Sequence, residues 1–181
     1  ERVALEDKIR RADFIICISS FHRDLYLKHS ARPEQLHIVY CGIDTEQFSP
    51  PAEGERPSDG IIHIRSSGRL VEKKGFIYLI KACRILSDRN VPFECMIAGS
   101  GPLEQELREK VDRLGLADRV KLTGEALIQE DITSFAHSGT VYCLPCVWAS
   151  DNDADGLPQM LMENMACGLP AISTRLVGIP D

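Results

Sequence analysis

Short runs rich in β-branched and other apolar residues alternate with segments of helical period along the whole 181-residue chain. Neighbouring parallel strands need a crossover of a dozen or more residues between them, usually a helix, so this alternation is the pattern of an α/β protein with a parallel sheet. The expected strands are FIICIS (14–19), LHIVYC (36–41), IIHIRSS (61–67), FECMIAG (93–99), RVKLTG (119–124), TVYCLP (140–145) and PAIST (170–174), with helices in the intervals.

Three intervals carry definite helix signals. Phe76, Leu79, Ile80, Cys83 and Leu86 recur at i, i+3, i+4, i+7 and i+10, one apolar stripe after Gly75 that should lie on the sheet. The next helix has Pro102 near its first turn, Glu104 and Glu106 where the macrodipole favours acids, an apolar side of Leu103, Leu107, Val111 and Leu114, and Gly115 as its stop. A third helix is expected from near Leu157 or Pro158 to Gly168, with Leu157, Met160, Leu161 and Met165 on its inner face. SPPAEGERPSDG, by contrast, holds three prolines and two glycines with no apolar period, the composition of an interdomain linker. The organisation expected is therefore residues 1–48 as the end of one α/β domain, 49–60 as linker, and 61–181 as a second α/β domain truncated at its C-terminus. Opening on Glu1 inside an amphipathic pattern and stopping just after VGIP, the chain reads as a fragment.

Composition narrows the function. At 44% hydrophobic the chain can bury an ordinary core, and a formal charge of -6 with no long Lys/Arg run argues against a nucleic-acid binder or a lipid-surface patch. No stretch of about 18 uninterrupted apolar residues is present, and the first twenty residues are too charged for a secretory signal. Seven cysteines, an odd number set mostly in apolar runs, suit reduced, buried thiols and a cytoplasmic setting.

Two constellations could carry chemistry. SSGRLVEKKG (66–75) closes a strand, turns on Gly68 and places Arg69 and Lys74 in a strand-to-helix loop, with Lys73 as a possible solvent-facing neighbour. In an open parallel sheet ligands bind beyond the carboxyl ends of the strands, and two cations there suit a diphosphate as well as they suit a plain solvated loop. The second is DGLPQMLMENMACG (155–168), where Asp155 precedes the third helix and Glu163 lies within it. Helical rise would separate these carboxylates by about 12 Å along the axis, too far to share protons but apt for gripping two ends of one extended ligand. Free N–H groups near Gly156 and Leu157 would favour an anion between them. The plainer alternative is an N-terminal acid and a solvated Glu, against which stands the apolar company of Glu163: MLM before it and NMA after it.

These residues resemble the nucleotide-sugar-dependent retaining glycosyltransferases of the GT-B fold, family four. GRLVEKKG (68–75), AGSGP (98–102) and DGLPQMLMENMACGLPAIST (155–174) match that family's GRLxxxKG, AGxGP and acid-x7-Glu segments in the right order, and RADFIICISSFHRDLYL and PEQLHIVYCGIDTEQFSP resemble its approach to the interdomain linker. The resemblance implies a GT-B type α/β fold: a Rossmann-like parallel sheet flanked by helices, preceded by the end of a second α/β domain. It also implies that Arg69 and Lys74 neutralise the nucleotide diphosphate, that Glu163 hydrogen-bonds the ribose, and that Asp155 with Gly68 and the backbone of Gly156, Leu157 and Pro158 faces the donor sugar. No metal or other cofactor is implied. The partners implied are a nucleotide-sugar donor and a saccharide or lipid-linked acceptor, held mainly by an N-terminal domain not present here. Peripheral membrane association would come through such missing parts, and the fragment alone should not turn over. The acidic VWASDNDAD resembles a loop of members that build exopolysaccharides.

Three departures stand out: Asp155 for the usual Glu, Asn164 for the usual Ala, and Val177 where a Gly-Gly pair often begins. Competing expectations are a non-catalytic interaction module of the same fold, and another nucleotide-sugar enzyme such as an epimerase or phosphorylase. CLPC (143–146) lacks a second CxxC or a His pair, so it is expected to be structural rather than redox-active or zinc-binding. His63 and His137 are expected in packing or surface roles.

Overall fold

The computed structural model describes residues 2–181. All the expected strands form: β1 (Ile15–Cys17), β2 (Leu36–Ile38), β3 (Ile62–Ser67), β4 (Phe93–Ala98), β5 (Val120–Leu122), β6 (Val141–Leu144) and β7 (Ala171–Ser173). The helices are α1 (Arg2–Arg11), α2 (Ser20–Lys28), α3 (Phe76–Asp88), α4 (Glu104–Arg113), α5 (Gln129–His137) and α6 (Gln159–Ala166). Every strand is as short as or shorter than its apolar run, because the flanking residues leave the ladder. Ser19 becomes the N-cap of α2, Gly68, Gly99 and Gly124 turn with positive φ, and Pro170 has no N–H to give.

β1 and β2 pair in parallel, Ile15 opposite Leu36, over a small core of Ile9, Cys17, Ala31 and Leu36. The other strands make one parallel sheet in the order β5-β4-β3-β6-β7. From β3 the chain winds outward through β4 to β5, then crosses back to β6 on the other side of β3. Right-handed crossovers consequently place α3 and α4 on one face and α5 and α6 on the other. With both faces covered, the strands can be apolar throughout, and Ile64, Cys95, Ile97, Tyr142 and Leu144 are buried. The α3 stripe docks as its period predicts: Phe76, Leu79, Ile80 and Cys83 are buried, and Leu86 packs at the margin.

One inner-face assignment on α6 is corrected. Met165 is 56% exposed, while Asn164 is fully buried beside Leu161. The reason lies in the sheet: α6 packs on β6 and β7, the edge strand among the described residues, and no described element beyond β7 covers Met165.

The proline-rich stretch after β2 is held down. Phe48, 3% exposed, inserts into the larger core, and the His137 ring meets the Ser49 carbonyl at 2.8 Å. Arg56 donates to the carbonyls of Gly139 (3.1 Å) and Cys167 (2.5 Å), just past the C-terminal ends of α5 and α6. Those carbonyls point out of helix ends, where a cation is favoured by both hydrogen bonding and the dipole.

Candidate functional site

The site is built where the strand order reverses. β3 and β6 are neighbours whose connections leave in opposite directions, so the loops after Ser67 and Leu144 open a crevice at their carboxyl ends. The loop after β3 ends in a 3₁₀ turn, Glu72–Lys74, capped by Gly75 at φ +68. A Cβ on Gly75 would stand 1.9 Å from the Pro145 carbonyl oxygen, and Val147 N–H donates to the Lys73 carbonyl at 2.9 Å. The two loops are thus locked together through backbone that only glycine permits.

That lock brings the predicted residues face to face. Lys74 Nζ lies 2.9 Å from Asp155 Oδ2, and its stem crosses Gly68, whose Cβ position would be 3.4 Å from Lys74 Cε. Lys73, at the rim, pairs with Asp153 at 2.9 Å and approaches Asp155 at 3.5 Å. The hydrogen bond from Asp153, ahead of the opposing effect of burial, raises the Lys73 pKa and keeps it charged. The Arg69 side chain is exposed and makes no hydrogen bond or ion pair among the described residues. Glu72 and Asp151 border the same crevice as Asp153 and Asp155, so four carboxylates face the three cations, and of those cations Arg69 alone has no side-chain partner among the described residues.

Asp155 is well buried, its side chain 14% exposed. Besides the lysines it accepts the Cys146 thiol proton at 3.5 Å. Burial, and next the Asp155 charge, push Cys146 up to about 12, so it remains a protonated donor. Cys143 is likewise pushed up by burial, to about 11, and both thiols are free. CLPC therefore supplies a packing residue and a prop for Asp155. The AGSGP turn is also a support: Cβ atoms on Gly99 and Gly101 would strike the Gly68 and Leu70 carbonyl oxygens at 1.9 and 2.6 Å.

On the far side stands the start of α6. Pro158 is extended (φ -67, ψ 115) and no side chain caps the helix. The N–H groups of Gly156 and Leu157 have no acceptor among the described residues, whereas Gly156 O accepts Gly178 N–H at 2.8 Å. Because residues 155–158 precede the helix, the straight-helix spacing expected between Asp155 and Glu163 does not apply. Glu163 has one buried carboxylate oxygen, Oε2, without a partner, and burial raises its pKa. Its charge reaches the buried Tyr142 hydroxyl, which donates to the Ser67 carbonyl at 3.2 Å. Val177 keeps a left-handed backbone, φ +46, despite its branched side chain.

Sequence reasoning brought Arg69, Lys74, Asp155 and Glu163 to one end of the sheet but missed that Asp155 and Lys74 would partner each other. It also missed the α2 side of the crevice: a Cβ on Gly156 would lie 3.1 Å from His22 Cε1, and one on Gly178 2.6 Å from Ser19 Cβ.

A switch-point parallel sheet of this order, preceded by a parallel β1–β2 pair, is the architecture of GT-B glycosyltransferases. The chain superposes on the Anabaena protein HepE, crystallised with UDP and glucose, with a TM-score of 0.76 and 21% identity over 98% of this chain and 48% of that one. It superposes on sucrose-phosphate synthase of Thermosynechococcus elongatus with a TM-score of 0.80 and 20% identity over 98% and 44%. Residues 52–181 match the model of the family "Glycosyl transferases group 1", and the chain belongs to that family. It is 35% identical over 173 residues to the "Putative colanic acid biosynthesis glycosyltransferase WcaL" of Escherichia coli (strain K12), covering 95% of this chain and 42% of that protein. It is 34% identical to the "Amylovoran biosynthesis glycosyltransferase AmsK" of Erwinia amylovora, covering 93% and 41%. The chain thus spans about two fifths of the length of these curated relatives. Among the described residues no helix is long and apolar enough to cross a membrane.

Proposed function

We propose that the chain is the donor-binding part of a retaining glycosyltransferase that moves a hexose from a nucleotide diphosphate sugar to a saccharide or lipid-linked acceptor in polysaccharide synthesis. The observation that carries this reading is the Arg69 side chain, a cation without a partner among the described residues, beside Lys74 in the loop that faces the uncapped start of α6. A leaving diphosphate carries negative charge, and preorganised cations with free N–H donors stabilise it without reorganising at the moment of transfer. In this scheme Arg69 and Lys74 hold the diphosphate, with no metal called upon. The free oxygen of Glu163 takes the ribose hydroxyls, and Asp155, with the backbone of Gly68, Gly156, Leu157 and Pro158, faces the sugar. The relatives named for colanic acid and amylovoran biosynthesis support the acceptor class, and HepE, crystallised with UDP and glucose, supports a UDP-type donor. The division into an acceptor-side part (1–48), a connection (49–60) and a donor-side part (61–181), and a cytoplasmic location, belong to the same proposal.

Against a non-catalytic module stands Val177: a branched residue held at φ +46 costs energy that a disused site has no reason to retain. Calorimetry with UDP and GDP tests the reading. Arg69→Ala and Lys74→Ala should each weaken diphosphate binding by about tenfold or more, the worth of a charge-assisted hydrogen bond. Undiminished binding in both would sink the assignment.

A further inference from the structure

α2 begins at the crevice. Its N-cap Ser19 is fully buried, and Ser19 Oγ both caps the His22 N–H (3.4 Å) and lies 2.7 Å from His22 Nδ1. An oxygen that already accepts the capping N–H has its own proton to give, and Nδ1 is the partner it faces. Assigning that bond as Ser19 O–H to Nδ1 puts the ring's remaining proton on Nε2. Nε2 has no partner among the described residues. It lies 3.5 Å from the position a Cβ on Gly156 would take, so the ring edge rests against the residue whose N–H, with that of Leu157, is free at the start of α6.

We infer that His22 Nε2–H is a hydrogen-bond donor to the sugar-side phosphate of the sugar donor, contributed by the first part of the chain and oriented by Ser19. The inference rests on the donor reading above and adds to it a contact from the other side of the crevice. Two independent features meet there: an imidazole whose Nδ1 is held by a buried hydroxyl, and a pair of backbone donors unpartnered among the described residues. All three N–H groups point to the same class of ligand, an anion with several acceptor oxygens. Packing alone gives no reason for a hydroxyl to hold the ring, since an apolar side chain fills the space beside Ile18 and Gly156 equally well.

Calorimetric titration of this chain with UDP, GDP and the corresponding monophosphates tests the inference. His22→Leu, which keeps bulk and removes the donor, should weaken diphosphate binding about tenfold while leaving monophosphate binding and the melting temperature near wild type. His22→Gln, whose amide reaches the Nε2 position, should recover binding to within about threefold, roughly half of the tenfold loss on a free-energy scale. Wild-type diphosphate affinity in His22→Leu overturns the assignment, as does an equal loss for mono- and diphosphates. If Lys74→Ala weakens the diphosphate and His22→Leu does not, His22 alone is overturned and the donor reading stands. If neither variant weakens it, or the wild type binds no nucleotide, both fall.

Discussion

Val177 and Asn164 show how single residues depart from what local chemistry prefers. At φ +46, Val177 brings its Cβ against its own carbonyl oxygen, a conformation costing about 1–2 kcal/mol for an L-residue. Asn164, fully buried, donates from Nδ2 to the Met160 carbonyl at 2.7 Å and leaves its Oδ1 without a partner. For Val177 the expected outcome inverts the ordinary ranking. Val177→Gly should be more stable than Val177→Ala by about 1 kcal/mol in urea unfolding, because only glycine escapes the clash, although it gains more freedom in the unfolded chain. Alanine equal to or better than glycine would show the turn to be relaxed. At this scale the sequence was legible where chemistry is carried by residue type: cations, carboxylates and the odd Val were all visible. The Lys74–Asp155 pair was not, because it depends on where two loops 81 positions apart in the chain are brought together.

The connection between β2 and β3 illustrates what composition conceals at the scale of elements. Three prolines and two glycines suggest a free tether, yet the segment is fixed by Phe48, Ser49 and Arg56 to the larger core and to the ends of α5 and α6. The anchors are isolated residues without periodicity, so no pattern announces them. Arg56→Met should lower stability by about 2 kcal/mol, seen as a reduced urea midpoint at unchanged slope, since the carbonyls beyond α5 and α6 lose their donor. An unchanged midpoint would mean that water replaces the guanidinium without loss. Helix and strand centres were readable because the apolar stripe and run lengths fix them. Their ends were set by Ser19, Gly68 and similar residues, whose capping and turning roles compete with the ladder.

Across the whole molecule the sheet carries charge at both ends. Opposite the crevice, His63 on β3 sits 2.8 Å from Glu94 and 3.0 Å from Asp59, and Arg65 donates to the same Glu94 at 2.8 Å. Burial pulls the His63 pKa down, but the hydrogen bonds to Glu94 and then Asp59 outweigh it and leave it raised above 6.5. His63 therefore stabilises the fold fully below about pH 6.5, and this contribution drains away as pH climbs through the raised folded value. Glu94, lowered first by its bond to His63, and Asp59, lowered first by the Ile61 N–H, act oppositely. Their contribution is present above about pH 4.5 and is lost as pH falls through the folded values. The melting-temperature gap between wild type and His63→Gln should be widest near pH 5–6 and close towards pH 9. A gap that stays constant with pH would remove the ion pairs from the account. The parallel direction that sets these two charged ends apart was legible in the strand–helix alternation, but strand order was not: parallel runs of similar length carry no mark of their neighbours.

The left-handed Val177 has a genetic corollary. Every valine codon becomes a glycine codon by one change at its second base, so the residue that would relax this turn is always a single mutation away. A library of random point changes, sorted for folded protein alone, should accumulate glycine there. If nucleotide binding is then scored, the same position reports whether the side chain at 177 is merely tolerated or is needed beside the crevice.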